Sequence, residues 1–146
     1  MALENENAPP SRSPYRDAEA HPIIVTVHRN LHALSPETGA VLWSRDDGAF
    51  SGRFLLHHGS VIYANADHVL FVNARTGIVH QRLKNPASIA PDNVILVADR
   101  LIFGGSGEVF CVSLDGKILW HNPLRGTGFG PVGLGVPGEV RFPDLR

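Results

Sequence analysis

The chain has 146 residues, of which 43% are hydrophobic and 18% charged, and its formal net charge is −1. That balance gives no clustered basic face for DNA or RNA. It also contains no apolar run of the 18 or more residues a membrane-spanning helix needs. The chain is therefore expected to bind neither nucleic acid nor membrane.

The first 21 residues are rich in Pro, Ser, Asn, Glu and Ala. Such a segment buries too little apolar surface to offset its ordering entropy, so residues 1–21 read as a disordered tail. The segment is acidic near its start and has no apolar h-region, which predicts no export leader and a cytoplasmic protein. Cys111, the single cysteine, lies within an apolar run and reads as a small buried hydrophobe.

A repeat runs through the rest. Leu31–Trp43 (LHALSPETGAVLW), Leu70–Gln81 (LFVNARTGIVHQ) and Val109–Trp120 (VFCVSLDGKILW) align on Gly39, Gly77 and Gly116, which are 38 and 39 residues apart. In each unit alternating apolar residues form a strand, a glycine turn reverses it, and a second alternating strand follows. A further strand pair lies upstream: Arg53–His57 and Val61–Ala64 around His58-Gly59-Ser60, then Val94–Ala98 and Leu101–Gly104 around Asp99-Arg100. Four short antiparallel strands per unit, at a period near 40, predict β-propeller blades.

The strands count unevenly. Residues 22–48 supply three: Pro22–His28, Asn30–Leu34 and Val41–Arg45. Residues 52–85 and 92–122 supply four each, and a closing strand falls at about 130–137. Twelve strands make three four-stranded blades, an all-β half-propeller whose first blade is completed by a C-terminal strand. Rings have four to eight blades. The expectation is a homodimer closing a six-bladed ring, with Pro131–Val136 paired against Pro22–His28 of another copy.

The pattern Ala33-Leu34, Thr38-Gly39 and Trp43, repeated with Gly116 and Trp120, resembles the quinoprotein-dehydrogenase-type (PQQ-like) propeller repeat. Gln81 departs from it. The resemblance implies that the tryptophan packs between neighbouring blades, so Trp43 and Trp120 are expected to be structural, with Gly39, Gly77 and Gly116 at the turns. Some members of that family are quinone-dependent dehydrogenases, but their acidic calcium-binding positions have no counterpart here.

No catalytic constellation emerges. Gly128-Phe129-Gly130-Pro131-Val132-Gly133 matches a dinucleotide fingerprint formally, yet Pro131 interrupts it and no helix follows. Gly104-Gly105-Ser106-Gly107 reads as a hairpin turn, since Glu108 stands where a nucleophile elbow needs glycine. The eight histidines show no zinc spacing, so no metal and no cofactor is assigned. Arg53, His57, Arg125 and Phe129 lie beside the inner strands and are the candidates for contacting a ligand. The sequence favours a non-catalytic binding or scaffolding propeller whose protein or small-molecule ligand is unidentified. The alternatives are an enzyme at the channel mouth and a lectin-like carbohydrate binder.

Overall fold

The computed structural model describes residues 11–12, 22–46, 53–137 and 139–141. All regular structure among them is β, and no helix is long and apolar enough to cross a membrane. The strands are β1 (Ser11–Arg12), β2 (Ile23–Val27), β3 (Asn30–Leu34), β4 (Val41–Arg45), β5 (Arg53–His57), β6 (Ser60–Ala64) and β7 (His68–Asn73). They continue with β8 (Val79–Lys84), β9 (Asn93–Val97), β10 (Arg100–Gly105), β11 (Glu108–Ser113), β12 (Ile118–Asn122), β13 (Leu134–Val136) and β14 (Glu139–Arg141). They form three four-stranded sheets ordered β1-β4-β3-β2, β5-β6-β7-β8 and β12-β11-β10-β9, and a hairpin β13-β14. The last two of the large sheets are the four-strand meanders expected from the repeat.

Two-residue hairpins join many of the strands. His28-Arg29, His58-Gly59, Ala98-Asp99 and Ser106-Gly107 all have positive φ at both positions, between 48° and 77°. That geometry matches the right-handed twist of the strands it connects. Two turns sit one residue away from their expected places. His58-Gly59 turns without Ser60, and the third sheet turns at Ala98-Asp99, because β10 begins at Arg100 and not at Leu101.

The longer turns are built alike in all three sheets. The amide of Gly39 donates to the Ser35 carbonyl at 2.8 Å, Gly77 to Asn73 at 2.7 Å, and Gly116 to Ser113 at 3.0 Å. The side chain of the same upstream residue closes the bend: Ser35 Oγ accepts from the amides of Glu37 and Thr38, and Asn73 Oδ1 from those of Arg75 and Thr76. Ser113 Oγ accepts from the Lys117 amide, across a turn one residue shorter. Glycine supplies the positive φ, 76° at Gly39 and Gly77 and 88° at Gly116.

The chain divides into two compact units. One contains β1–β4 with Leu56–Ile62 and Leu70–Arg82, and the other contains residues 53–55, Tyr63–Val69 and residues from Leu83 onward. Leu31, Ala33, Leu42, Trp43, Val61, Leu70 and Val72 form the core of the first. Trp43 is fully enclosed there; its indole N–H donates to the Ala74 carbonyl at 2.9 Å, and Arg45 Nη1 donates to the Gly77 carbonyl at 2.9 Å. In the second unit Tyr63, Val69, Val94, Ile95, Leu101, Phe103, Phe110, Cys111 and Val112 are buried.

The strand count corrects the sequence reading, which expected twelve. Fourteen strands occur among the described residues. Ser11 and Arg12 pair with Ser44 and Trp43, so the first sheet gains its fourth strand beyond β4, not beside β2. Leu134–Val136 pairs within the chain with Glu139–Arg141, and both strands lie alongside β9. Trp120 also departs from the expectation of packing between blades: it is 44% exposed, and all five residues of β12 are open to solvent. Among the described residues no sheet covers that face of the strand.

Candidate functional site

Pro123 lacks an amide and stops the β12 ladder at Asn122. Asn122 Oδ1 then accepts from the Leu124 amide at 2.9 Å, and the Leu124 carbonyl accepts from the Thr127 amide at 3.1 Å. Leu124, Gly126 and Gly128 hold φ values of 47°, 82° and 111°, so the segment curls back on itself. It returns against the β10–β11 hairpin so closely that a Cβ on Gly107 would stand 2.2 Å from the Gly128 carbonyl oxygen. Glycine at 107 is thus required twice, by φ and by contact.

Between loop and hairpin lies an open cleft of about 640 Å³, lined by Ser106, Glu108, Pro123, Leu124, Arg125, Gly126, Gly128 and Phe129. Its walls are mostly hydrocarbon, and Phe129 is 88% exposed at its rim. Glu108 is tethered to His121 Nε2, and the His121 ring stacks on Phe110 with centroids 4.1 Å apart and planes 3° from parallel. The acid therefore has a fixed place in a cleft whose other charged lining residue is Arg125. Such a surface can take an apolar side chain or a short segment and orient it by charge.

The structure brings Arg125 and Phe129 together in this cleft and leaves the other two sequence candidates elsewhere. Arg53, at the start of β5, donates from Nε to the Asp92 carbonyl at 2.8 Å. Asp92 in turn accepts the Val132 amide, which anchors the residues after the loop. Arg53 is thus tied to backbone. His57, at the other end of β5, meets His58 edge-on at 4.0 Å. Neither lines the cleft. Glu108 and His121 were missed, since only the β11–β12 register, which sets Phe110 opposite His121, places them on one face. Among the described residues no three His, Cys, Asp or Glu side chains converge as a metal-binding group.

A family model described as "Outer membrane protein assembly factor BamB" matches residues 9–132. The chain belongs to this family. Its sheets are PQQ-like propeller blades, as the repeat implied. Among solved structures it is similar to BamB from Moraxella catarrhalis, with a TM-score of 0.50 and 18% identity. The match covers 77% of this chain and 37% of that one, so the chain spans well under half of the BamB structure. At that identity the likeness establishes the fold. No curated protein matches the chain.

Proposed function

We propose that this chain is a non-catalytic scaffolding propeller, assembled from two chains, that takes a protein partner at the glycine-rich loop cleft. The observation that carries the reading is Phe129, 88% exposed at the rim of the apolar cleft. An aromatic ring held in water gains most by entering a partner's surface, and aromatic anchors dominate protein interfaces. The family's description as an assembly factor supports a partner that is itself a protein. Three blades are half of a six-bladed ring, which lies within the usual range for propellers, and this supports the two-chain form.

The test is photo-crosslinking in the cell of origin, with a benzophenone amino acid at position 129 and, as a control, at Arg75 on the Asn73–Gly77 turn. Discrete protein adducts from position 129, absent from position 75 and lost in a Leu124→Ser background, are expected. Adducts that are the same from both positions overturn the cleft. Oxidation of an alcohol by the purified chain with added quinone, calcium and an artificial electron acceptor overturns the non-catalytic reading.

A further inference from the structure

The first sheet carries a strand from outside the repeat. The repeat supplies β2, β3 and β4, and Ser11–Arg12 adds a fourth strand along the far edge of β4. Ser11 stands opposite Ser44 and Arg12 opposite Trp43. Neither added residue is among the β-branched and aromatic types that favour strands. What they answer is the row of backbone N–H and C=O groups that an edge strand leaves unpaired. The outer edge of a blade in this chain therefore takes an added extended segment.

The middle sheet has the same kind of edge. β8 is last in the order β5-β6-β7-β8, and among the described residues no strand pairs beyond it. Gln81 and Arg82 stand where the repeat has Trp43 and Ser44, the two residues that pair with β1. His80, Gln81, Arg82 and Lys84 are all exposed. The chemistry of this strand is one-sided: VHQRLK holds a histidine, an arginine and a lysine and no acid. By strand alternation the three bases share one face. His80 is fixed on it by Ser60 Oγ, 3.1 Å from its Nε2, so Arg82 and Lys84 supply the formal charge. Such side chains keep an edge from pairing with its own kind, since like charges across a ladder repel. The same charges favour a strand that sets acids opposite them.

We propose that the outer edge of β8 is a docking site for an extended acidic segment of a protein partner, which joins the middle sheet as β1 joins the first. Backbone hydrogen bonds hold a segment of this kind, and its alternate side chains select it. Asp or Glu at every second position falls on the face of Arg82 and Lys84. The site shares no residue with the loop cleft and goes beyond the function proposed above.

The experiment uses the full chain, isotope-labelled, and three fluorescent peptides. The acidic probe is Thr-Glu-Val-Glu-Val-Glu-Thr, and the basic one is Thr-Lys-Val-Lys-Val-Lys-Thr. The third, Thr-Glu-Pro-Glu-Pro-Glu-Thr, keeps the acids and lacks two ladder amides. Fluorescence anisotropy is expected to show the acidic probe binding at least about tenfold more tightly than either of the others. Amide shifts and slowed hydrogen exchange are expected within Val79–Lys84. No binding of the acidic probe at about 1 mM, equal binding of all three, or shifts confined to other strands overturns the proposal. Arg82→Glu combined with Lys84→Glu is expected to weaken the acidic probe at least about tenfold and to turn the preference to the basic one. Lys84→Glu alone, expected to weaken it about threefold, decides if the double variant misfolds. Unchanged affinity in a folded variant overturns the proposal. Each of these outcomes leaves the cleft reading standing, because crosslinking at position 129 tests that separately.

Discussion

The indole of Trp43 donates its N–H to the carbonyl of Ala74, 31 residues along the chain, at 2.9 Å. The ring is fully enclosed, so the indole N–H has exchanged water for this carbonyl. Trp43→Phe keeps most of the apolar volume and removes the donor. The expected loss is about 0.5–1.5 kcal/mol, the net contribution of one hydrogen bond. Trp43→Ala adds a cavity and is expected to cost about 3–5 kcal/mol. Urea unfolding reads both. A Phe variant as stable as the parent would show that the hydrogen bond contributes nothing.

The hairpin at His28-Arg29 places two side-chain-bearing residues at φ values of 49° and 68°. Left-handed backbone costs roughly 1–2 kcal/mol for an ordinary L-residue. Asn-Gly is the preferred pair for this turn. The double substitution His28→Asn, Arg29→Gly is expected to stabilise the chain by about 1 kcal/mol or more, and the same change at Ala98-Asp99 to act alike. Thermal melting decides; a lower midpoint would mean that these side chains hold contacts worth more than the strain.

These two cases show which features could be read in advance. The glycine turns were legible because Gly39, Gly77 and Gly116 repeat at fixed spacing and need positive φ. Ala98 was not, because alanine carries no signal for that conformation and the register was read one residue late. Ser11–Arg12 pairs through the edge that β4 offers, not through any strand propensity of its own. Arg125 and Phe129 were legible as loop residues beside an inner strand. The bond from Arg53 to the Asp92 carbonyl was not legible, because its partner lies 39 residues away and belongs to the backbone. The exposure of Trp120 depends on what covers β12, which no local pattern encodes.

Asp115 titrates below the ordinary 3.8, chiefly because the Ser113 hydroxyl donates to its carboxylate, with Lys117 adding to the effect. The folded pKa is depressed relative to the unfolded chain. Its contribution to stability is therefore present above the ordinary carboxylate value and is lost as pH falls through the lowered folded value. The carboxylate is exposed, so the effect on overall stability is small. In an NMR titration the Asp115 midpoint is expected below 3.8 and to move up in Ser113→Ala. No movement would remove the hydroxyl as the cause.

Gly59 and Gly107 occupy the second position of two-residue hairpins, with φ of 77° and 75°. An alanine at either pays the same backbone strain, so the comparison isolates what surrounds the Cβ. At Gly59 nothing lies within 4 Å, whereas at Gly107 the new carbon would stand 2.2 Å from the Gly128 oxygen and 2.9 Å from Phe129 Cα. Backbone cannot yield as a flexible side chain would, so the loop itself must move. Gly59→Ala is expected to cost only the left-handed penalty, about 1–2 kcal/mol. Gly107→Ala is expected to cost more and to open the cleft, since Leu124 and Phe129 sit on the displaced segment. Limited trypsin digestion reports this directly, because Arg125 lies within the loop: cleavage after it should accelerate in Gly107→Ala and stay at the parent rate in Gly59→Ala. Equal cleavage in both variants would mean that the hairpin does not hold the loop in place.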